Sequence, residues 1–497
     1  MCGATLELGG TVVNLYCSLS MGYLAEGILS GRVTRNMKTL GRLFSILIVL
    51  TMGCVTARAQ EDEYALRGTI VTPDQVIVNG TILVLGEKIQ AIGADITIPP
   101  HTKVIDTKGI ILPGFIDLHN HLTWNLFPRW KANREFENRY DWQQLVAYGI
   151  ALATPHYELM KEKLGCEMNQ YAEVKAITEG ETAVVGSLGP EKCIEGLARN
   201  LDFYSGFYDA GVLGKEKLRN EVFPLELDNS TVSQITGALD KKELTAFLVH
   251  LSEGKPNDAS AAREFRIFVA RGFLRRGVSI IHGVALKQPD FHRMAGSKVG
   301  LIWSPRSNIE LYGSTTDVAA ALAENVKIAL SPDWSPTGSN GMLEELRYAA
   351  IWNAGQAAAV FSNKELVRMT TQYPAQLAGL EDKIGSLAPG FYADVLVLQS
   401  NEKDAYAAIV HARPSDVELV IIGGDPVYGN PELMKGLVPK DQLEILAVCK
   451  VRQSFYFGSE TRLQGTTPET WNHVRDRLEE GLQEWGTYLA PLDECPN

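Results

Sequence analysis

Between residues 113 and 384 short apolar runs alternate with amphipathic stretches, and polar residues of a narrow set of types keep closing those runs. The runs are "GFIDLHN", "ETAVVGSLG", "DFYSGFYDAG", "LTAFLVHLSEG", "VSIIHGV", "VGLIWSP" and "VKIALSPDW", and helices are expected at 157–178, 258–276, 315–324 and 341–360. Apolar runs of this length, bounded by turn residues and separated by helical stretches, read as buried strands joined by crossovers. Such strands form a parallel sheet, closed or doubly wound. The expected class is α/β.

In "GFIDLHNHL", His119 and His121 stand one residue apart at the end of the first strand. His250 ends the strand of "LTAFLVHLSEG", with Glu253 three residues on, and His282 ends that of "VSIIHGV". Ser304 and Asn308 follow "GLIW", and Asp333 closes "VKIALSPDW". Taken singly, each has an ordinary explanation. A histidine after an apolar strand more often serves structure, Asp333 can cap a turn, Glu253 can be a solvated loop carboxylate, and Arg306 can bind loop backbone. Four of the nine histidines in the chain nevertheless fall at strand ends of one pattern. Carboxyl ends of parallel strands are where barrel enzymes assemble their sites, and imidazole with carboxylate is a metal-ligand set. The coincidence of position points to a metal.

The flanks differ. Residues 64–112 and 385–425 carry near-alternating Val, Ile and Thr broken by turn pairs, so a β-sandwich built from both ends of the mature chain is expected, over 60–112 and 385–430. A helical extension is expected over 431–497, with an amphipathic helix at 466–487. Residues 1–59 read as a leader: a mis-assigned start over 1–36, then a signal peptide over 37–59 with its basic residues, apolar run and Ala57-Arg58-Ala59. Cleavage would leave Gln60 first and place the protein in the periplasm or outside the cell. Gly53-Cys54 offers the alternative of a lipoprotein. The apolar run is shorter than the roughly 20 residues a spanning helix needs, so no transmembrane span is expected in the mature protein. With a net charge of −12 and no Lys/Arg run, no nucleic-acid partner is expected, and a small-molecule substrate is. Cys166 with Cys193, or Cys449 with Cys495, could bridge in such a compartment, but spacing does not give connectivity.

Together "LPGFIDLHNHL", the strand-end histidine of "VHLSE", "IIHG", "WSPRSN", "ALSPDW" and "GSLAPGFYADVLVL" resemble the amidohydrolase superfamily, in its cytosine deaminase, guanine deaminase and triazine hydrolase branch. The resemblance spans most of 64–425 and implies a (β/α)8 barrel over 113–384 flanked by a β-sandwich. It implies that His119, His121, His250 and Asp333 bind one divalent metal, zinc or alternatively iron. It implies that Asp333 takes a proton from attacking water, that His282 bonds that water or the developing oxyanion, and that Glu253 protonates a ring nitrogen and serves the leaving group. Two-metal branches carry a bridging lysine on the fourth strand. The candidate "LDFYSGFYDAG" has none, and Lys215 and Lys217 lie beyond it, which favours one metal.

The expected reaction is hydrolysis of a carbon–nitrogen bond outside peptides, deaminating an aminated N-heterocycle by attack of metal-generated hydroxide. Cyclic-amide opening, triazine dechlorination and a non-catalytic binding relative are the alternatives. Trp124 and Trp303, with Trp130 and Trp334, are candidates to stack on a flat ring, while Arg306 and Asn308 are candidate polar contacts to substrate. Family resemblance also suggests a homo-oligomer.

Overall fold

The computed structural model describes residues 3–8, 11–16, 63–189, 193, 197–202, 217–457 and 470–495. The chain divides into two units, Met1–Gln60 and Glu61–Asn497. In the first, strands Gly3–Leu8 and Thr11–Tyr16 pair as an antiparallel hairpin. The signal peptide expected over 37–59, and the lipoprotein cysteine Cys54, lie outside the described residues.

Among the described residues of the second unit, eight short strands form two all-parallel sheets. Leu218–Glu221, Ala246–Leu251, Val278–His282, Gly300–Trp303 and Ile328–Leu330 form one sheet in chain order. Phe115–Asp117, Glu181–Val184 and Arg199–Asn200 form another. A parallel bridge between Asn120 and Asp333 joins the last strand of the first sheet to the first strand of the second. Across it Asp333 N donates to His119 O at 3.0 Å and His121 N donates to Asp333 O at 3.2 Å. A single apolar cluster draws Ile116, Ala183, Leu201, Leu218, Leu248, Ile281, Ile302 and Ala329, one from each strand or the residue just after it. Neighbours in sequence, such as Phe247, Ile280, Leu301 and Leu330, belong to the other face and pack in a separate cluster. That two-residue alternation is the reason these runs are apolar throughout: both faces are covered.

Two expectations shift. The strand expected in "DFYSGFYDAG" lies, from residue 203 on, outside the described residues; among the described residues the fourth parallel strand is Leu218–Glu221, whose "LRNE" is too polar to show as an apolar run. Lys217 sits at its start, where its carbonyl accepts Thr245 N, at the end of the sheet opposite His250. The helix expected at 157–178 is two helices, Thr154–Lys161 and Gly165–Thr178.

Both flanks of this unit enter one nine-stranded sheet, joined where Lys103–Pro113 pairs antiparallel with Val395–Leu398. The sheet extends to Glu444–Val448 and Val451–Phe455, past the boundary expected at 430, so the C-terminal extension is not purely helical. The turn of that last hairpin is Cys449-Lys450, both in the left-handed region at φ 50° and 64°. Such a turn normally announces itself by Asn-Gly or Asp-Gly, which is why the hairpin was invisible in the sequence. The expected tail helix is present as Trp471–Glu484. Among the described residues no helix is long and apolar enough to cross a membrane.

Candidate metal centre

The strand ends bring four donor atoms to one point. His119 Nε2 lies 3.0 Å from His250 Nε2, and His250 Nε2 lies 3.3 Å from His121 Nε2. Asp333 Oδ1 stands 3.1 Å from His119 Nε2 and 3.4 Å from His121 Nε2. Donors about 2.0–2.1 Å from a tetrahedral zinc are separated by about 3.3 Å, so these distances have the spacing of a ligand shell. Facing nitrogen lone pairs repel one another unless a proton or a cation lies between them. Burial disfavours the protons: it pushes His119 down to about 4, against the pull of Asp333, and holds His121 and His250 below the usual histidine range. Burial alone would raise Asp333, but His119, His282 and His121 hold its carboxyl well below the ordinary value. A neutral-imidazole and carboxylate set of this kind fits a divalent metal.

The surrounding bonds orient each donor. His119 Nδ1 meets Ser304 Oγ at 2.8 Å, which leaves the Nε2 lone pair facing inward. Ser307 Oγ donates to Asp333 Oδ2 at 2.5 Å, leaving Oδ1 for the histidines. Asp117 accepts His119 N at 2.9 Å and fixes the backbone of that turn. His119 and His250 are buried and His121 is partly exposed, so solvent reaches the cluster past His121.

His282 has a backbone at φ +65°, in the left-handed region that a histidine rarely adopts. Strict alternation would send its side chain to the outer face with Ile280. Rotating φ by about 180° from the strand value swings Cβ to the other side. Its ring accordingly lies 4.7 Å from that of His119, centroid to centroid, and Nε2 stands 3.7 Å from Glu253 Oε2. Asp333 also has a left-handed backbone, at φ +72°.

A family model for the amidohydrolase family matches residues 232–427. The matched stretch includes His250, His282 and Asp333. The chain is 26% identical over 378 residues to a 5'-deoxyadenosine deaminase of Methanobrevibacter smithii, covering 67% of this chain and 84% of the relative. It is 22% identical over 366 residues to a 5-methylthioadenosine/S-adenosylhomocysteine deaminase of Acetivibrio thermocellus, covering 67% and 84%. Among solved structures, an adenosine deaminase from Xanthomonas campestris with bound zinc aligns with a TM-score of 0.61 at 16% identity, over 84% of this chain and 99% of that one. The guanine deaminase of E. coli aligns with a TM-score of 0.57 at 18% identity, over 74% and 100%. At these identities the structural likeness is one of fold.

The candidate substrate contacts separate. Trp124 stands in an aromatic wall beside the cluster: it stacks on His156 at 3.8 Å and meets Trp334 edge-on at 5.8 Å, and Trp334 lies 6.1 Å from His121. Trp130 stacks on Phe136 at 5.9 Å and faces Trp142 and Tyr148 in the same wall. Trp303 is not part of it. It is fully buried on the opposite face of its strand from Ser304, packs on Trp352 and Phe361, and donates Nε1–H to Thr315 Oγ1 at 2.7 Å. Arg306 is turned to carboxylates, with Nη1 3.2 Å from Glu344 and Nη2 2.8 Å from Glu494. Asn308 Oδ1 accepts His282 Nδ1–H at 2.8 Å and sets the direction of that ring.

Sequence reasoning missed His156, Ser307 and Tyr312. Tyr312 donates to Glu253 Oε1 at 2.6 Å. It was within reach: Asn308 and Tyr312 are four apart in helix Pro305–Tyr312 and so share the face that looks into the site. Both cysteine pairs are bridged, Cys166 to Cys193 and Cys449 to Cys495.

Proposed function

We propose that the protein is a hydrolytic deaminase of an aminated N-heterocycle, working with one divalent metal held by His119, His121, His250 and Asp333. The carrying observation is Glu253 Oε2 placed 3.7 Å from His282 Nε2, on the rim of the converging donor set. A metal bound there supplies a Lewis acid and hydroxide near neutral pH. Zinc suits the tetrahedral spacing; iron is the alternative.

Asp333 is the proton acceptor of the attacking water, since Oδ1 points into the cluster while Oδ2 is bonded by Ser307. His282, its Nδ1–H committed to Asn308, presents Nε2 to the water or to the oxygen that gains negative charge. Glu253 gives a proton to the ring nitrogen, takes up the proton left on the attacking oxygen and hands it to departing ammonia, and the proton held by Asp333 then restores Glu253. The aromatic wall of Trp124, His156 and Trp334 supplies a flat apolar surface against which a heterocycle can stack. Deaminase relatives favour this reading over ring opening of a cyclic amide or triazine dechlorination, which use the same core.

The finer fold belongs to the same reading: the eight parallel strands, bridged at Asn120 and Asp333 around one shared cluster, form a (β/α)8 barrel, and the nine-stranded sheet wraps into the flanking sandwich. Two disulfides favour the exported location expected from residues 37–59. N-terminal sequencing of the mature protein checks it, with a start near Gln60 expected and an intact Met37 against it.

Ammonia release across aminated purines, pyrimidines, pterins and triazines, with zinc-loaded protein, tests the activity. Release from one class, lost in Glu253→Gln, is expected. Silence across the panel at one metal per chain would turn the reading to cyclic amides.

A further inference from the structure

Glu253 is reached by a hydrogen-bond chain whose direction can be read without ambiguity. Trp142 Nε1 lies 3.0 Å from the Tyr312 hydroxyl, and that hydroxyl lies 2.6 Å from Glu253 Oε1. Indole N–H only donates, so Tyr312 receives it and its own proton must go elsewhere. Among the described residues, Glu253 Oε1 is the other partner of that hydroxyl, so Tyr312 donates to Oε1. Burial, then the nearby Glu253 carboxylate, holds the Tyr312 phenol well above its ordinary range, so it remains a donor at any working pH. All three side chains are buried.

We propose that Tyr312, oriented by Trp142, is a positioning residue that keeps Glu253 Oε1 as an acceptor and reserves Oε2 for the proton Glu253 transfers. This rests on the reading of Glu253 as proton carrier. Oε2 is the oxygen on the site side, 3.7 Å from His282 Nε2. In the transfer the O–H bond at Oε2 breaks as an N–H bond forms on the ring nitrogen, and the electron pair stays on the carboxylate. Arg139 Nη1, 4.0 Å from Oε2, lies between Glu253 and Glu264, which it meets at 3.3 Å through Nη2. His121 and Asp333 are the other charged or titratable groups that act on this pair. Among the described residues none of them bonds Oε1, whose hydrogen-bond donor is Tyr312.

Infrared spectroscopy of the zinc-loaded protein reads the assignment without any turnover. The carbonyl band of protonated Glu253, identified by its loss in Glu253→Gln, is expected to move to higher wavenumber in Tyr312→Phe, because Oε1 loses its donor. A smaller move in the same direction is expected in Trp142→Phe, where the hydroxyl keeps its partner but not its orientation. A band unmoved in both variants would overturn the proposal, whatever the substrate proves to be. With a substrate in hand, Tyr312→Phe is expected to lower kcat about tenfold or more with KM within about threefold. Wild-type kcat in Tyr312→Phe would overturn it equally. Wild-type silence on the heterocycle panel would count against deamination and leave the infrared result standing.

Discussion

Ser307 Oγ holds Asp333 Oδ2 at 2.5 Å and is itself bonded to Thr337 Oγ1 at 3.0 Å, so one oxygen of the carboxylate is tied before any metal arrives. Ser307→Ala frees that oxygen and lets the carboxylate rotate. Metal affinity is expected to fall about 10- to 100-fold, the usual cost of losing a bond behind a ligand. A chelator competition titration measures it, and an affinity equal to wild type would mean the serine does not orient Asp333.

Replacing His250 by Ala removes one of the four converging donors from a buried position. Wild-type protein should gain about 2.7 kcal/mol of stability with free zinc at a hundred times its dissociation constant. The variant should keep its fold, show no such gain in thermal melts, and lose turnover. Full zinc stabilisation of His250→Ala would remove His250 from the ligand set.

His156, stacked on Trp124, has its pKa pushed down by burial, and next by His121, to about 4 from an ordinary 6.5. Between those values the unfolded chain binds a proton that the folded protein refuses. Stability should therefore fall as pH drops from 6.5 toward 4 and level off below, by no more than about 3 kcal/mol from this group. His156→Gln should flatten that part of the melting-temperature profile in zinc-loaded protein. An unchanged slope would mean the ring is not kept neutral by the fold.

The Cys449–Cys495 bridge, with a separation of 46 residues, ties the chain end to the last hairpin. Next to it Glu494 pairs with Arg306 at 2.8 Å and with Arg129, whose guanidinium also reaches Gly338 O in the loop after Asp333. Chain entropy assigns such a bridge about 4 kcal/mol. The Cys449→Ser/Cys495→Ser double variant should show a loss of that order in denaturant unfolding. A loss below about 1 kcal/mol would show that the ion pairs hold the tail unaided.

The positions of the converging side chains were readable because they depend on local pattern. An apolar run bounded by turn residues marks a strand, and the strand's end marks the place, so His119, His121, His250 and Asp333 could be found without knowing any contact. His282 was found by the same rule, although alternation alone would have aimed it outward; only the left-handed backbone at φ +65° turns it in. The fourth strand was missed because "LRNE" carries no apolar signal, and the last hairpin because Cys449-Lys450 carries no turn signal.

What the sequence by itself determined is therefore the α/β class, the strand ends and the donor types gathered there, all consequences of periodicity over a few residues. Which way each side chain looks was decided by tertiary structure. Trp303 sits one residue from Ser304 yet packs against Trp352 on the far face. Arg306, within the motif itself, is claimed by Glu494, 188 residues away. Glu253 takes its partners from Tyr312 and Arg139, 59 and 114 residues distant by number. Hydrogen bonds and ion pairs of this kind join segments that the fold brings together, and no local pattern encodes which distant donor will stand opposite a given acceptor.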